Sequence, residues 1–387
     1  MPEIIIIGAG VIGTSIAYHL GKCGCRDVLV LEKNRIGSGS TEWCPGGIRQ
    51  QFATEINIKL SMESVRFFEH FAEETGHPAD FRQHGYLMLA TSEDELDSFR
   101  RNVDRQRRQG LRVDLLSPQE VMGLVPGLAV ADVLGATYCP TDGYADPYSV
   151  VSGFAAAARR LGVKIREEIE VTGIELSGEK IAGVLTTEGR LEAPVVVNAA
   201  GPYAGITGRM AGLAIPVRPS RRHLFITGPL ANRPEASAIA RHPRLPMVVD
   251  FHNGFWFRRE GPCLLFGMRN PDEPEGLATP VDWDFFTDTL GPVACRRLPC
   301  LSDLGIMRGQ AGLHADTPDY MAIMGEAPGI PGLYLACGFS GHGFMHSPAV
   351  GRIMADLILG RKVSPDVVPL SIERFRRRVE IKESAFI

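Results

Sequence analysis

The chain has no apolar run approaching the ~20 residues that span a bilayer, and it has no surplus of positive charge. Forty-one Lys and Arg against 45 Asp and Glu leave a net charge of −4 over 387 residues. Clustered cations that neutralise nucleic-acid phosphates are therefore not expected. Neither a membrane span nor a nucleic-acid partner fits this composition. The eight cysteines (Cys23, Cys25, Cys44, Cys139, Cys263, Cys295, Cys300 and Cys337) fall into no CxxC or zinc-type spacing. No metal site is expected, and free thiols in a reducing cytoplasm are the expected setting. Cys23 and Cys25 flank Gly24 and lie too close along the chain to bridge well. Glu3 stands where a signal peptide would carry basic residues, so the apolar run behind it reads as a strand. No internal repeat is visible, and no Ser/His/Asp or paired-carboxylate constellation. Hydrophobic content of 44% and charged content of 22% are those of an ordinary soluble protein. At this length two domains are the default.

What is present begins at residue 4. Four isoleucines, Ile4 to Ile7, suit a strand buried on both faces. Gly8-Ala9-Gly10-Val11-Ile12-Gly13 follows, then a helix over about 11–21, then the strand Val28 to Leu31 closed by Glu32. This is the opening unit of a dinucleotide-binding fold. Gly8 permits the tight turn, Gly10 lets backbone approach a pyrophosphate, and Gly13 lets the helix pack closely. The helix start aims its N–H groups and dipole at that pyrophosphate. Glu32 is placed to accept ribose hydroxyls, whether the cofactor is a flavin or a nicotinamide dinucleotide.

Downstream, a Gly/Ser-rich turn (Gly37 to Thr41) and Cys44-Pro-Gly-Gly-Ile-Arg49 precede a helical pattern over 54–74. Ser92–Glu95 and Ser117–Glu120 are capping boxes that open helices. The Arg-rich face of the first of these helices (Arg100, Arg101, Arg105, Arg107, Arg108) reads as a solvated surface. Strands near 224–227, 247–251, 254–259 and 263–268 form a meander, with Asn253-Gly254 as a hairpin signal. Near the end, strand 332–337 leads through Gly338-Phe-Ser-Gly-His-Gly-Phe344 to a helix that Ser347-Pro348 is expected to open and that runs to about Gly360.

Taken in order, the opening fingerprint, Gly37 to Phe52, Asn198-Ala-Ala-Gly-Pro-Tyr-Ala204, Thr317-Pro-Asp319 and Gly338 to Phe344 resemble the FAD-dependent D-amino-acid oxidase/sarcosine oxidase family. The likeness is nearest to its sarcosine oxidase β-subunit and proline dehydrogenase branch, and it spans essentially the whole chain. It implies an α/β fold with two domains. A Rossmann-type FAD-binding domain of the glutathione-reductase-like kind would comprise 1–80, 146–215 and 305–387. An α+β substrate-binding domain with a mostly antiparallel sheet would comprise 81–145 and 216–304.

The resemblance also implies a site. Gly8, Ala9, Gly10, Val11, Ile12 and Gly13 would meet the pyrophosphate, Glu32 and Lys33 the adenosine end, and Val171 the adenine. Ser40, Thr41, Gly46, Gly47 and Ile48 would run along the pyrophosphate and flavin edge, with Ala199, Ala200 and Gly201 over the cofactor. Gly338, Ser340, Gly341, His342, Gly343 and Phe344 would lie along the flavin, where a helix N-terminus stabilises charge on the reduced ring. On residues alone, the last loop reads equally well as a glycine-rich turn. His342 is a candidate for substrate contact or for a structural hydrogen bond. Arg49 is a candidate for supporting the flavin or a substrate carboxylate, or for an ion pair. Arg258 and Arg269 are candidate carboxylate anchors on the meander, with ordinary ion pairing as the alternative. Arg221, Arg222 and His223 carry a weaker signal.

Three departures from the family pattern matter. Gly312 stands five residues before Thr317, where monomeric sarcosine oxidases carry the cysteine that tethers FAD, so FAD is expected to be non-covalent. Leu265 stands where those oxidases place a lysine that promotes reaction with O2, so a dehydrogenase is favoured over an oxidase. Met345 replaces a lysine that binds substrate carboxylate. The expected activity is oxidation of the C–N bond of a small amino acid or secondary amine (sarcosine-, glycine- or proline-like), giving an imine by hydride transfer to flavin N5. The alternatives are a flavin dehydrogenase for a 2-hydroxyacid or polyol phosphate, with His342 as base, and an FAD-holding subunit of a heteromeric complex. An electron-accepting partner subunit belongs to that last reading, to which the basic tail Arg374 to Arg378 points.

Overall fold

The computed structural model describes residues 2–377 and 381–385. Ile4–Ile7 forms the centre of a six-stranded sheet, because the alternate isoleucines face two different cores. Ile4 and Ile6 pack with the helices Val11–Lys22 and Gly343–Ile358, while Ile5 and Ile7 pack with Ile169, Val171 and Val196. Burial on both faces is what the unbroken apolar run requires. The strand order is Ile323–Glu326, Leu333–Cys337, Val195–Asn198, Ile4–Ile7, Val28–Leu31, Lys164–Arg166. All neighbours are parallel except the first pair. A three-stranded antiparallel sheet (Val171–Ser177, Lys180–Thr186, Gly189–Glu192) lies beside it.

The second large sheet has eight strands, in the order Ile306–Asp316, Arg218–Thr227, Cys263–Met268, Phe255–Glu260, Met247–Asp250, Tyr86–Ala90, Gly135–Cys139, Asp114–Leu116. The expected meander is present and mostly antiparallel. Its single parallel pair, Met247–Asp250 on Tyr86–Ala90, joins the segments from either side of the dinucleotide half. The hairpin at Asn253-Gly254 is a four-residue loop, in which Gly254 takes a positive φ of 74°. One boundary needs correction: Ile306–Asp316 pairs along Arg218–Thr227, so this strand belongs to the eight-stranded sheet and not with the cofactor segment beginning at 305.

Both capping boxes form as expected: each serine side chain accepts from the glutamate backbone three residues on, and each glutamate reaches back. The late helix differs from expectation. It begins at Gly343, with His342 as N-cap, and Pro348 lies inside it. Proline there leaves the carbonyl of Phe344 without its helical donor. The Ser347 hydroxyl donates to that carbonyl at 2.9 Å and restores the missing bond. The helix therefore starts about one turn earlier than expected, at Gly343.

Candidate functional site

The glycine turn fits together through backbone contacts. Gly8 has φ 104°, and a Cβ there would lie 2.6 Å from the Ala199 carbonyl oxygen. A Cβ on Gly13 would fall 1.9 Å from the Gly8 carbonyl oxygen, so only glycine lets the helix sit on the turn. Gly10 is different: its Cβ would meet only the Thr41 hydroxyl, at 3.4 Å. Space on the protein side does not require glycine there. Glu32 accepts from the amides of Ala9 (2.8 Å) and Asn34 (3.0 Å), and the Thr41 hydroxyl accepts from the amide of Val11 at 3.1 Å.

These residues open onto a cavity of about 400 Å³. Its wall includes Gly8, Gly10, Val11, Ile12, Glu32, Lys33, Ser40, Thr41, Gly46, Gly47, Arg49, Val171, Ala199, Ala200 and Gly201. It continues along Gly338, Ser340, Gly341, His342, Gly343, Phe344 and Met345, and reaches Arg269 on the large sheet. Residues distant in sequence thus share one wall. At the Glu32 end, the Lys33 ammonium lies 3.3 Å from the centre of the Tyr203 ring.

Four expected site residues do not line it. Ala9 is fully buried and its backbone is spent within the protein: its amide donates to Glu32 at 2.8 Å and its carbonyl accepts from the Gly37 amide at 3.0 Å. Gly13 is spent on packing, and Ile48 is fully buried in a two-residue strand paired with Gly143. Arg258 does not reach the cavity: its guanidinium donates to the carbonyls of Pro45 (2.6 Å) and Arg259 (2.7 Å) and pairs with Glu260 at 2.6 Å. Those bonds leave it ill-suited as a carboxylate anchor.

At the other end, Arg49 is 2% exposed. It donates to the Gln51 carbonyl at 2.6 Å, lies 4.2 Å from the centre of the Phe52 ring, and makes no ion pair among the described residues. Burial pulls its pKa down, while Tyr86, Glu383 and Asp142 oppose that. His342, although flanked by two glycines, is buried. Its ring is buried edge-on against Phe52 at 4.8 Å, and burial, then Arg49, His346 and His314, hold its pKa well below the ordinary value. A neutral imidazole of such low basicity is poorly placed to take a hydroxyl proton. Burial drives His346 down to about 3; its Nε2 is 2.8 Å from the Ser61 hydroxyl. The Cys44 thiol lines the wall and is pushed by burial up to about 12, which keeps it protonated and unreactive.

Several wall residues carry no site assignment from sequence or only a weak one, though Trp43 lies within the Gly37–Phe52 stretch. Trp43, Tyr86, Met247, Trp256, Arg222 and His314 all face the cavity. His314 packs against Gly341, where a Cβ would come within 2.7 Å of its ring, and burial lowers its pKa to about 4. Arg222 pairs with Asp316 at 3.0 Å. Strand alternation puts Arg222 and Leu224 on one face, but which face meets the cofactor half is set by tertiary docking. Trp43 settles position 312: a Cβ on Gly312 would lie 2.3 Å from the Trp43 Cβ. Leu265 lies on the same sheet face as the cavity residues Trp256 and Leu224, two positions from their partner Gly267.

The expected basic tail is partly internal. Arg374 is buried and forks onto Asp319 at 2.6 and 3.1 Å, so it is no partner-facing charge; Arg378 lies outside the described residues. Among the described residues no helix is long and apolar enough to cross a membrane.

Comparison with known proteins agrees with this geometry. The chain is 31% identical to rat mitochondrial dimethylglycine dehydrogenase over 96% of its length and 45% of that protein. It is 30% identical to human mitochondrial sarcosine dehydrogenase over 96% of its length and 41% of that protein. It thus spans less than half the length of these curated relatives. Among solved structures, L-proline dehydrogenase from P. horikoshii superimposes with a TM-score of 0.90 at 35% identity, covering 97% of this chain and 98% of that one. Glycine oxidase from Geobacillus kaustophilus gives 0.83 at 27% identity, with 96% and 98% covered. The family model described as DAO, FAD dependent oxidoreductase, matches residues 3–357, and the chain belongs to that family of FAD-dependent amine and amino-acid oxidoreductases.

Proposed function

We propose that the chain is an FAD-dependent dehydrogenase of a small amino acid or secondary amine, holding FAD non-covalently and converting the substrate to an imine. The single observation that carries this reading is the shared cavity wall: the fingerprint turn and the Gly338–Met345 loop meet around one space, with Arg49 and His342 at the loop end. The residues fit FAD. Gly10 leaves room that no protein atom claims, Glu32 stands at the ribose end, and Lys33 and Tyr203 flank the adenine side beside Val171. When bound, FAD supplies the two-electron acceptor.

The chain's own groups orient the substrate and exclude water. Arg49 offers a desolvated cation to a carboxylate or to developing negative charge. Arg269 and Arg222 are further cations on the wall, and Trp43, Tyr86, Met247 and Trp256 make the chamber apolar. An apolar chamber favours the neutral amine, so the reaction needs no dedicated protein base. Non-covalent binding is supported by Trp43 occupying the space above Gly312, and dehydrogenase action by Leu265 on the cavity face where a lysine would aid O2. The relatives' names support N-methylated glycines, proline and glycine as the substrate class.

The test is anaerobic mixing of the holoenzyme with a panel of N-methyl amino acids, proline, glycine and 2-hydroxyacids, followed by air. Bleaching of the yellow colour by an amine, with slow return in air, is expected. Bleaching by hydroxyacids alone would overturn the substrate class, and rapid return in air would make it an oxidase.

A further inference from the structure

Arg49 lines the cavity at the start of a segment, residues 49–54 (Arg-Gln-Gln-Phe-Ala-Thr), that has no helix or strand of its own and is buried over 49–53. Buried irregular backbone must find side-chain partners, and here two buried carboxylates supply them from opposite ends. Asp142, fully buried, accepts from the Gln50 amide (2.9 Å), the Gln50 side chain (3.0 Å) and the Gln51 side chain (3.1 Å). Glu383, also fully buried and 330 residues from Ala53, accepts from the amides of Ala53 (2.8 Å) and Thr54 (3.2 Å). It also takes the Thr54 hydroxyl (2.8 Å) and the Asn57 side chain (3.0 Å). The carbonyl of Phe52 is taken by Gln106 at 2.9 Å. Neither carboxylate touches Arg49. Two anions thus bracket a buried cation that has no ion-pair partner among the described residues, and they hold it through backbone.

We infer that Asp142 and Glu383 are positioning residues for Arg49, fixing its guanidinium at the cavity wall through the 50–54 backbone. This rests on the function proposed above. The charge arrangement fits the task. A direct ion pair would neutralise Arg49 and tie up its donors, whereas anions bound to the neighbouring backbone keep the cation stable in a desolvated place with its charge open to a ligand.

Two measurements test it. In the apoprotein, hydrogen exchange at the Ala53 or the Thr54 amide should speed up at least about tenfold in Glu383→Gln, and that at Gln50 likewise in Asp142→Asn, since each carboxamide turns one acceptor oxygen into a donor and leaves the other uncharged. Unchanged protection would overturn the bracket, whatever the enzyme does. In the holoenzyme, Glu383→Gln should raise KM for the bleaching amine about tenfold with a smaller loss in kcat, and Glu383→Asp should recover part of it. The same substitution in an Arg49→Gln background should change KM less than about twofold, because its effect passes through Arg49. A full tenfold effect in that background would overturn the assignment. If Asp142→Asn does not fold, the Glu383 variants carry the test. If wild-type holoenzyme bleaches with no amine, the proposed function fails while the exchange result still judges the bracket.

Discussion

At the scale of single residues, the three fingerprint glycines separate into two kinds. Gly13 is demanded by the protein itself, since a methyl group would collide with the Gly8 carbonyl. Gly13→Ala should destabilise the apoprotein by about 1–3 kcal/mol or more, seen in thermal unfolding. Gly10→Ala meets nothing closer than 3.4 Å. It should leave apoprotein melting nearly unchanged and weaken FAD uptake, measured by flavin fluorescence titration. A sequence pattern shows three glycines and cannot rank them, because the ranking depends on what packs against each in three dimensions: Ala199 against Gly8, the Gly8 carbonyl against Gly13, and only Thr41 near Gly10. Arg258 and His342 show the same limit. Both are legible as chemistry-bearing residues, yet Arg258 is consumed by Pro45 and Glu260 and His342 is buried on Phe52.

Among elements, those with local rules could be read from sequence. Capping boxes, a double-faced isoleucine strand and a hairpin glycine all act over a few residues. Pro348 marks where local rules mislead. Proline after serine signals a helix start, but here the helix runs through it, because Ser347 repairs the carbonyl that proline orphans. Ser347→Ala should therefore cost about 1 kcal/mol, and somewhat more because the carbonyl is buried. The same change should loosen the loop at His342–Gly343, read as faster amide exchange there. The crossing of this helix with Val11–Lys22 is equally non-local: a Cβ on Gly351 would lie 2.1 Å from the Ser15 hydroxyl, which donates to the Ser347 carbonyl at 2.7 Å.

For the molecule as a whole, charge burial sets the response to acid. His19 and His346 fall to about 3, His314 to about 4 and His342 well below its usual value, with burial the largest cause in each. Each stays neutral in the folded chain while the unfolded chain takes a proton below pH ~6.5. The unfolded state then binds more protons, so stability is full above that pH. It is lost as pH falls towards 4, by up to about 1.4 kcal/mol per pH unit for each histidine. Asp142, raised by burial to about 6, works the other way between about pH 4 and 6, one group against four. Urea midpoints measured from pH 7 to pH 4.5 should fall steadily, and a flat profile would contradict the buried neutral histidines. The strand order has a consequence of another kind. Leu333–Cys337 lies inside the six-stranded sheet, between Ile323–Glu326 and Val195–Asn198, and Ile306–Asp316 completes the eight-stranded one. During synthesis the fingerprint strand Ile4–Ile7 must wait, with its sheet unfinished, until Leu333–Cys337 has left the ribosome. The cofactor pocket thus closes only after strands made far apart in time have met, and a chain cut before Leu333 should hold neither the complete sheet nor flavin.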